Sequence, residues 1–178
     1  MTIADSLQQF YLENNFKDDG GESDDFFELK FKLFTLKLPN SQFRKEVIHI
    51  HGIQHVIYNC DTTWKGEAFI AGWEISTGFW KHLPVGFFSI WAMGFSLLTH
   101  PKEVLKGYKA GINNKGVVDL KMKKEDLLKL SISELKSIIK KDKTNKLNWF
   151  QFLLWSFTSI IIVLLPFILI ITGITYFL

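Results

Sequence analysis

His51 and His55 stand four residues apart, so on a helix their imidazoles share one face. Two imidazoles at that spacing can grip a single metal ion, as in helical zinc sites. Glu67 follows twelve residues after His55. On one uninterrupted helix that interval is about 18 Å of rise, too far for a shared ion. Between them lies Asn59-Cys60-Asp61-Thr62-Thr63, a run of turn and cap formers. A second helix starting there can fold back and place Glu67 in its first turn. The spacing therefore predicts a metal site of His51, His55 and Glu67 at a helix-turn-helix corner.

Two further residues are candidates for catalysis beside it. Glu74 shares a helical face with Glu67, Ala71 and Gly78. A carboxylate on a largely apolar helix needs a partner, because burying an unpaired charge is costly; a metal or Arg44 would serve. Arg44 is the only arginine in the chain and falls seven residues before His51. Its planar fork suits a substrate carboxylate, and equally a structural pair with Glu67 or Glu74. Several other chemistries are excluded. Gly52 stands where the H-E-x-x-H metalloproteases carry their glutamate base. The paired Glu-x-x-His elements of ferritin-like di-iron proteins are missing, as are P-loop and Rossmann fingerprints. Cys60 is the single cysteine, so no internal disulfide forms, and it is expected to pack. His49, His82 and His100 fall outside the constellation.

The elements that must position these residues are mostly helical. Ile3, Leu7, Phe10 and Tyr11 recur at helical spacing and predict a short opening helix. Lys17 to Asp25 is acidic, contains glycine and lacks large apolar groups, so it reads as a flexible linker. Phe26 to Leu38 fits a helix stripe through Phe27, Phe31, Phe34 and Leu38. It also fits strand alternation through Leu29, Phe31 and Leu33; the helix is preferred here. Ser41 to Tyr58 and Trp64 to Trp80 are predicted as the two helices of the corner. Gly66, Ala68, Ala71 and Gly72 let another helix approach the second one closely. Pro84 to Leu98 is uncharged but short for a membrane span, so it reads as a buried core helix or one wall of an apolar pocket. Pro101 opens a helix to Gly111, Val117 to Met122 reads as extended, and Glu125 to Ile139 as one amphipathic helix. Leu127, Leu128, Leu130, Ile132, Leu135 and Ile138 would face inward from it.

Lys136, Lys140, Lys141, Lys143 and Lys146 crowd ahead of a stretch from Phe150 to Leu178 that carries no charge. That stretch is long enough to cross a bilayer, with Trp149, Trp155 and Tyr176 placed as interfacial aromatics. The lysines put the body on the cytoplasmic face of a membrane, the bacterial inner membrane being the expected one. The start of the chain has neither a basic n-region nor an apolar core, and no secretory or transit signal is read there. A net charge of +3 gives no argument for nucleic acid, and none is expected as a partner. The expectation is an all-α fold, a compact multi-helix domain with a C-terminal transmembrane helix. Residues 1–25 form the opening helix and linker, 26–146 the helical domain and 147–178 the anchor.

The segment His51-Gly52-Ile53-Gln54-His55, eleven residues, then Glu67 resembles the H-D-x-x-H…E signature of the Coq4 family of ubiquinone-biosynthesis proteins. Leu38-Pro39-Asn40 and Arg44 before it, and Trp73-Glu74-Ile75-Ser76-Thr77-Gly78 after it, extend the similarity, which covers roughly Leu29 to Ile139. The family's aspartate falls on Gly52, and the terminal span is not part of the family pattern. The resemblance implies a mostly helical fold and a divalent metal, zinc being the expected ion, held by His51, His55 and Glu67. It implies a polyprenylated quinone precursor as ligand, in the replacement of the ring C1 carboxyl by hydroxyl. Membrane lipid and other quinone-biosynthesis proteins are the further partners it implies, and a homodimer is compatible with it. Against this stands a scaffold without chemistry of its own, which the missing aspartate favours.

Overall fold

The computed structural model describes residues 1–31 and 33–177. In chain order the helices are α1 (Ile3–Glu13), α2 (Gln42–Lys45), α3 (Ile48–Tyr58), α4 (Trp64–Thr77) and α5 (Val85–Thr99). They continue as α6 (Pro101–Gly111), α7 (Lys124–Lys129), α8 (Ile132–Ile139) and α9 (Trp149–Phe177). Among the described residues the only sheet is the pair β1 (Phe26–Lys30) and β2 (Thr35–Pro39). The fold is all-α in class, as expected. It divides into two compact units, Met1–Asn59 with Val117–Ile138, and Cys60–Gly116 with Ile139–Leu178.

In the first unit, α1 is started by a reciprocal cap. The Thr2 hydroxyl accepts from the Asp5 N–H, and the Asp5 carboxylate accepts from the Thr2 N–H. Its buried stripe of Ile3, Leu7 and Tyr11 packs against α3 and α7. Residues 17–25, expected as a flexible linker, carry a defined set of turn bonds. The Asp19 carboxylate accepts from the N–H groups of Gly21 and Ser23, each at 2.8 Å. The Asn40 amide donates to the carbonyls of Gly21 and Asp24, each at 2.9 Å.

The helix expected over Phe26 to Leu38 is an antiparallel hairpin, which corrects that part of the reading. Phe27 faces Leu38, Leu29 faces Leu36, and Glu28 faces Lys37 across the ladder. These apolar and opposite-charge pairs form only in the strand register. A helix would have left Leu29 and Leu36 off its apolar stripe. The helix expected from Ser41 to Tyr58 is broken at Val47, whose φ of −118° and ψ of −2° separate α2 from α3. Asn59 closes α3 in the left-handed conformation, φ 52°, which asparagine tolerates at a helix end.

The amphipathic helix expected from Glu125 to Ile139 is likewise two. Leu130 is extended, and Ser131 begins α8 with a capping box. The Glu134 N–H donates to the Ser131 hydroxyl at 3.2 Å, while the Glu134 carboxylate accepts from the Ser131 N–H at 2.7 Å. The break resets the helical phase, so Leu135 and Ile139 are buried and Ile138 is exposed. Residues 118–120 form a 3₁₀ turn rather than the extended segment expected there.

In the second unit, α4 stops at Thr77 because Gly78 turns left-handed, φ 96°, short of the expected Trp80. The small residues do what their size allows. A Cβ on Gly72 would meet the Val104 carbonyl oxygen at 2.2 Å, and one on Gly107 would meet the Phe69 carbonyl oxygen at 1.9 Å. α4 and α6 thus touch backbone to backbone. Ala68, Ala71, Ile75, Met93, Val104, Tyr108 and Phe152 form the core between α4, α5, α6 and the start of α9. α9 runs for 29 residues, and it is long and apolar enough to cross a membrane.

Candidate metal centre

α3 carries both histidines on one face, as the four-residue spacing requires. Their Nε2 atoms stand 3.2 Å apart, and the rings meet edge to face with centroids 4.9 Å apart. His55 is buried, 2% exposed, and the Phe10 ring stacks on it with centroids 5.4 Å apart. The chain then reverses through a turn organised by Asp61. Its carboxylate accepts from the Thr63 N–H at 3.0 Å and the Thr63 hydroxyl at 2.6 Å. The Thr63 hydroxyl and backbone bonds hold the Asp61 carboxyl below the usual carboxylate range. α4 starts at Trp64, and Glu67 lies in its first turn.

The donor atoms of His51, His55 and Glu67 all lie within 4.8 Å of one another. Donors on a tetrahedral ion with bonds of about 2 Å stand about 3.3 Å apart. The histidine pair already meets that separation, and a carboxylate oxygen of Glu67 lies within 4.8 Å of both. Two neutral imidazoles and one carboxylate are a donor set suited to a divalent ion. The arrangement could therefore hold a metal, with coordination positions left for water or a ligand.

Gly52, between the two histidines, has a packing reason. A Cβ there would meet the Leu7 Cδ1 at 2.8 Å and the Tyr11 Oη at 3.1 Å. α1 covers the spot, and any side chain would have to displace it. Tyr11 is buried, and its hydroxyl is pushed up to about 12, first by burial and then by Glu22 and Asp19.

Arg44 ends up against the hairpin. Its guanidinium donates to the Asn40 side-chain oxygen at 2.9 Å and lies 4.0 Å over the Phe27 ring. Glu74 sits two helical turns beyond Glu67, about 10 Å along the axis, and is buried. It accepts from the Ser89 hydroxyl at 2.5 Å and is not one of the three clustered donors. Cys60 lies in the turn, and its thiol is pushed up to about 11. Burial is the main cause, followed by the carboxylates of Asp61, Glu67 and Glu103. That shift disfavours the thiolate, the reactive form of the side chain.

Sequence reasoning missed two residues here. Phe10 was read only as part of a helix stripe. Gln54 is fully buried, and neither its Oε1 nor its Nε2 has a hydrogen-bond partner among the described residues. Its position beside His55, on the helix's apolar side, was the available signal. No family model, curated protein or solved structure matches the chain.

Proposed function

We propose that this chain is a membrane-anchored, Coq4-like protein of prenylated-quinone biosynthesis that holds a divalent ion, zinc by donor type, on His51, His55 and Glu67. The observation that carries the reading is the gathering of those three donors within 4.8 Å, which supports a metal-assisted role. The ligand is a polyprenylated hydroxybenzoate, a lipid whose location in the bilayer explains a membrane tether. When bound, the ion supplies a Lewis acid that polarises ring oxygens. Arg44 is assigned to the ring carboxylate through its fork, and Glu74, which accepts from the Ser89 hydroxyl, is kept as the second catalytic candidate. The reaction is replacement of the ring C1 carboxyl by hydroxyl: the carboxyl leaves as carbon dioxide, water supplies the hydroxyl oxygen, and two electrons and two protons pass to an external two-electron acceptor. α9 anchors the body on the cytoplasmic face, with Lys140, Lys141, Lys143 and Lys146 at the headgroups.

A second reading is favoured by Gly52. Without the family's aspartate, the chain binds the prenylated precursor and organises other quinone-biosynthesis proteins without turning anything over. Elemental analysis of the purified full chain, with mass spectrometry of its co-purified lipid, separates the two. A stoichiometric ion that His51→Ala and Glu67→Ala both remove supports the metal-dependent reading. A metal-free chain that retains the prenylated aromatic leaves the scaffold. A chain with neither overturns both.

A further inference from the structure

α9 is not free along its whole length. Phe152, Ser156, Ser159 and Val163 form a buried stripe on its first half, spaced as one face of a helix. α5 packs along that half. The contact is close, because a Cβ on Gly94 of α5 would meet the Ser159 carbonyl oxygen at 2.1 Å and the Val163 Cγ2 at 2.8 Å. Beyond Val163, the 13 residues from Leu164 to Tyr176 are exposed except Gly173, which is half-buried. At 1.5 Å per residue those 13 residues extend only about 20 Å. The hydrocarbon core of a bilayer is about 30 Å thick. A crossing of the core takes about 20 helical residues, and every stretch of that length within the candidate span Trp149–Tyr176 includes Ser159 and Val163, where α5 is packed. Tilting the helix lengthens the required stretch.

We infer that α5 enters the bilayer beside α9, so that its exposed face contacts lipid hydrocarbon. This rests on the reading of α9 as a membrane span. The composition of α5 agrees with it. No charged residue lies between Lys81 and Lys102. The exposed large side chains of α5 are Phe87 at 47%, Phe88 at 40% and Leu98 at 56%. Gly94 of α5 lies against Ser159 of α9, and Ser156 and Ser159 are buried. Small residues at the contact are how helices associate in lipid, where backbones must approach closely and no hydrophobic force drives them together. At 15 residues α5 is too short to cross; it is a partial insertion that shares one leaflet with α9. The membrane attachment is then a two-helix wedge and not a single tail.

Photo-crosslinking in the full chain tests this and leaves Cys60 untouched. Phe87→benzoylphenylalanine and Leu98→benzoylphenylalanine probe α5 at two exposed sites. Leu169→benzoylphenylalanine probes the bare half of α9. Lys129→benzoylphenylalanine, at an exposed position of α7, sets the background. Each variant is reconstituted in vesicles of phosphatidylethanolamine and phosphatidylglycerol, irradiated, and scored for acyl-chain adducts by mass spectrometry. The expected result is adduct yield at Leu98 or Phe87 comparable with that at Leu169 and several-fold above background. Adducts at Leu169 with only background at both α5 positions overturn the insertion of α5 and leave α9 as a lone anchor. Only background at Leu169 overturns the anchor itself.

Discussion

The Phe10 ring lies over the His55 imidazole with centroids 5.4 Å apart and planes inclined by 27°. One face of a candidate metal ligand is therefore held by the opening helix, and its nitrogen is left to meet His51 across 3.2 Å. Orientation of a ligand ring by its surroundings is part of what sets metal affinity. Phe10→Ala is expected to weaken metal binding by about tenfold, read by competition with a chelating dye. Phe10→Tyr, which keeps the stacked ring, should bind as the wild type does. Equal affinity for all three would show that the stack does not position His55.

Gly52→Asp places a carboxylate against Leu7 and Tyr11. Overpacking of this kind costs about 1–3 kcal/mol, and a charge set among apolar neighbours adds to it. The melting temperature should fall. An unchanged or higher value would mean that α1 yields readily, and that packing is not why glycine stands there.

Gln54 buries an amide whose two polar atoms lack hydrogen-bond partners among the described residues. Gln54→Met, which keeps the volume and removes the unmet polar atoms, should stabilise the chain by about 1 kcal/mol, read by denaturant unfolding. Destabilisation instead would reveal that the amide is engaged, by a bound molecule or by water.

The Asp19 carboxyl is held down to about 2 by the Ser23 hydroxyl and by the N–H groups of Ser23 and Gly21. Its ordinary value is 3.8, so the folded value is the depressed one. The turn bonds then contribute fully above pH 3.8 and are lost as pH falls toward 2. The group is largely exposed, and the contribution is correspondingly small. Asp19→Asn should melt lower than wild type at pH 6, and the gap should close at pH 2. A gap that persists unchanged at acid pH would remove the carboxylate as its source.

The donor set was legible because its signal is local. A four-residue spacing fixes two imidazoles on one face, and a run of cap formers fixes where the chain reverses. The hairpin at residues 26–39 was not, because Phe27, Phe31, Phe34 and Leu38 satisfy a helical period as well as they satisfy strand pairing. What decides is the partner strand, and Glu28 opposite Lys37 can be recognised only once the register is known. Ser131-Ile132-Ser133-Glu134 did carry a capping signature, overridden in the reading by the leucine-rich period on either side of it. The relation between Tyr11 and Gly52 joins residues far apart in sequence, and no periodicity encodes it.

The turn at Asn59 to Thr63 has a consequence for the order of events in a cell. It places the complete donor set within seventeen consecutive residues, His51 to Glu67, so closing that loop costs little chain entropy. Synthesis proceeds from the N-terminus, and these residues leave the ribosome long before α9 is made. An ion captured there would already be aboard when the apolar helix α9 emerges.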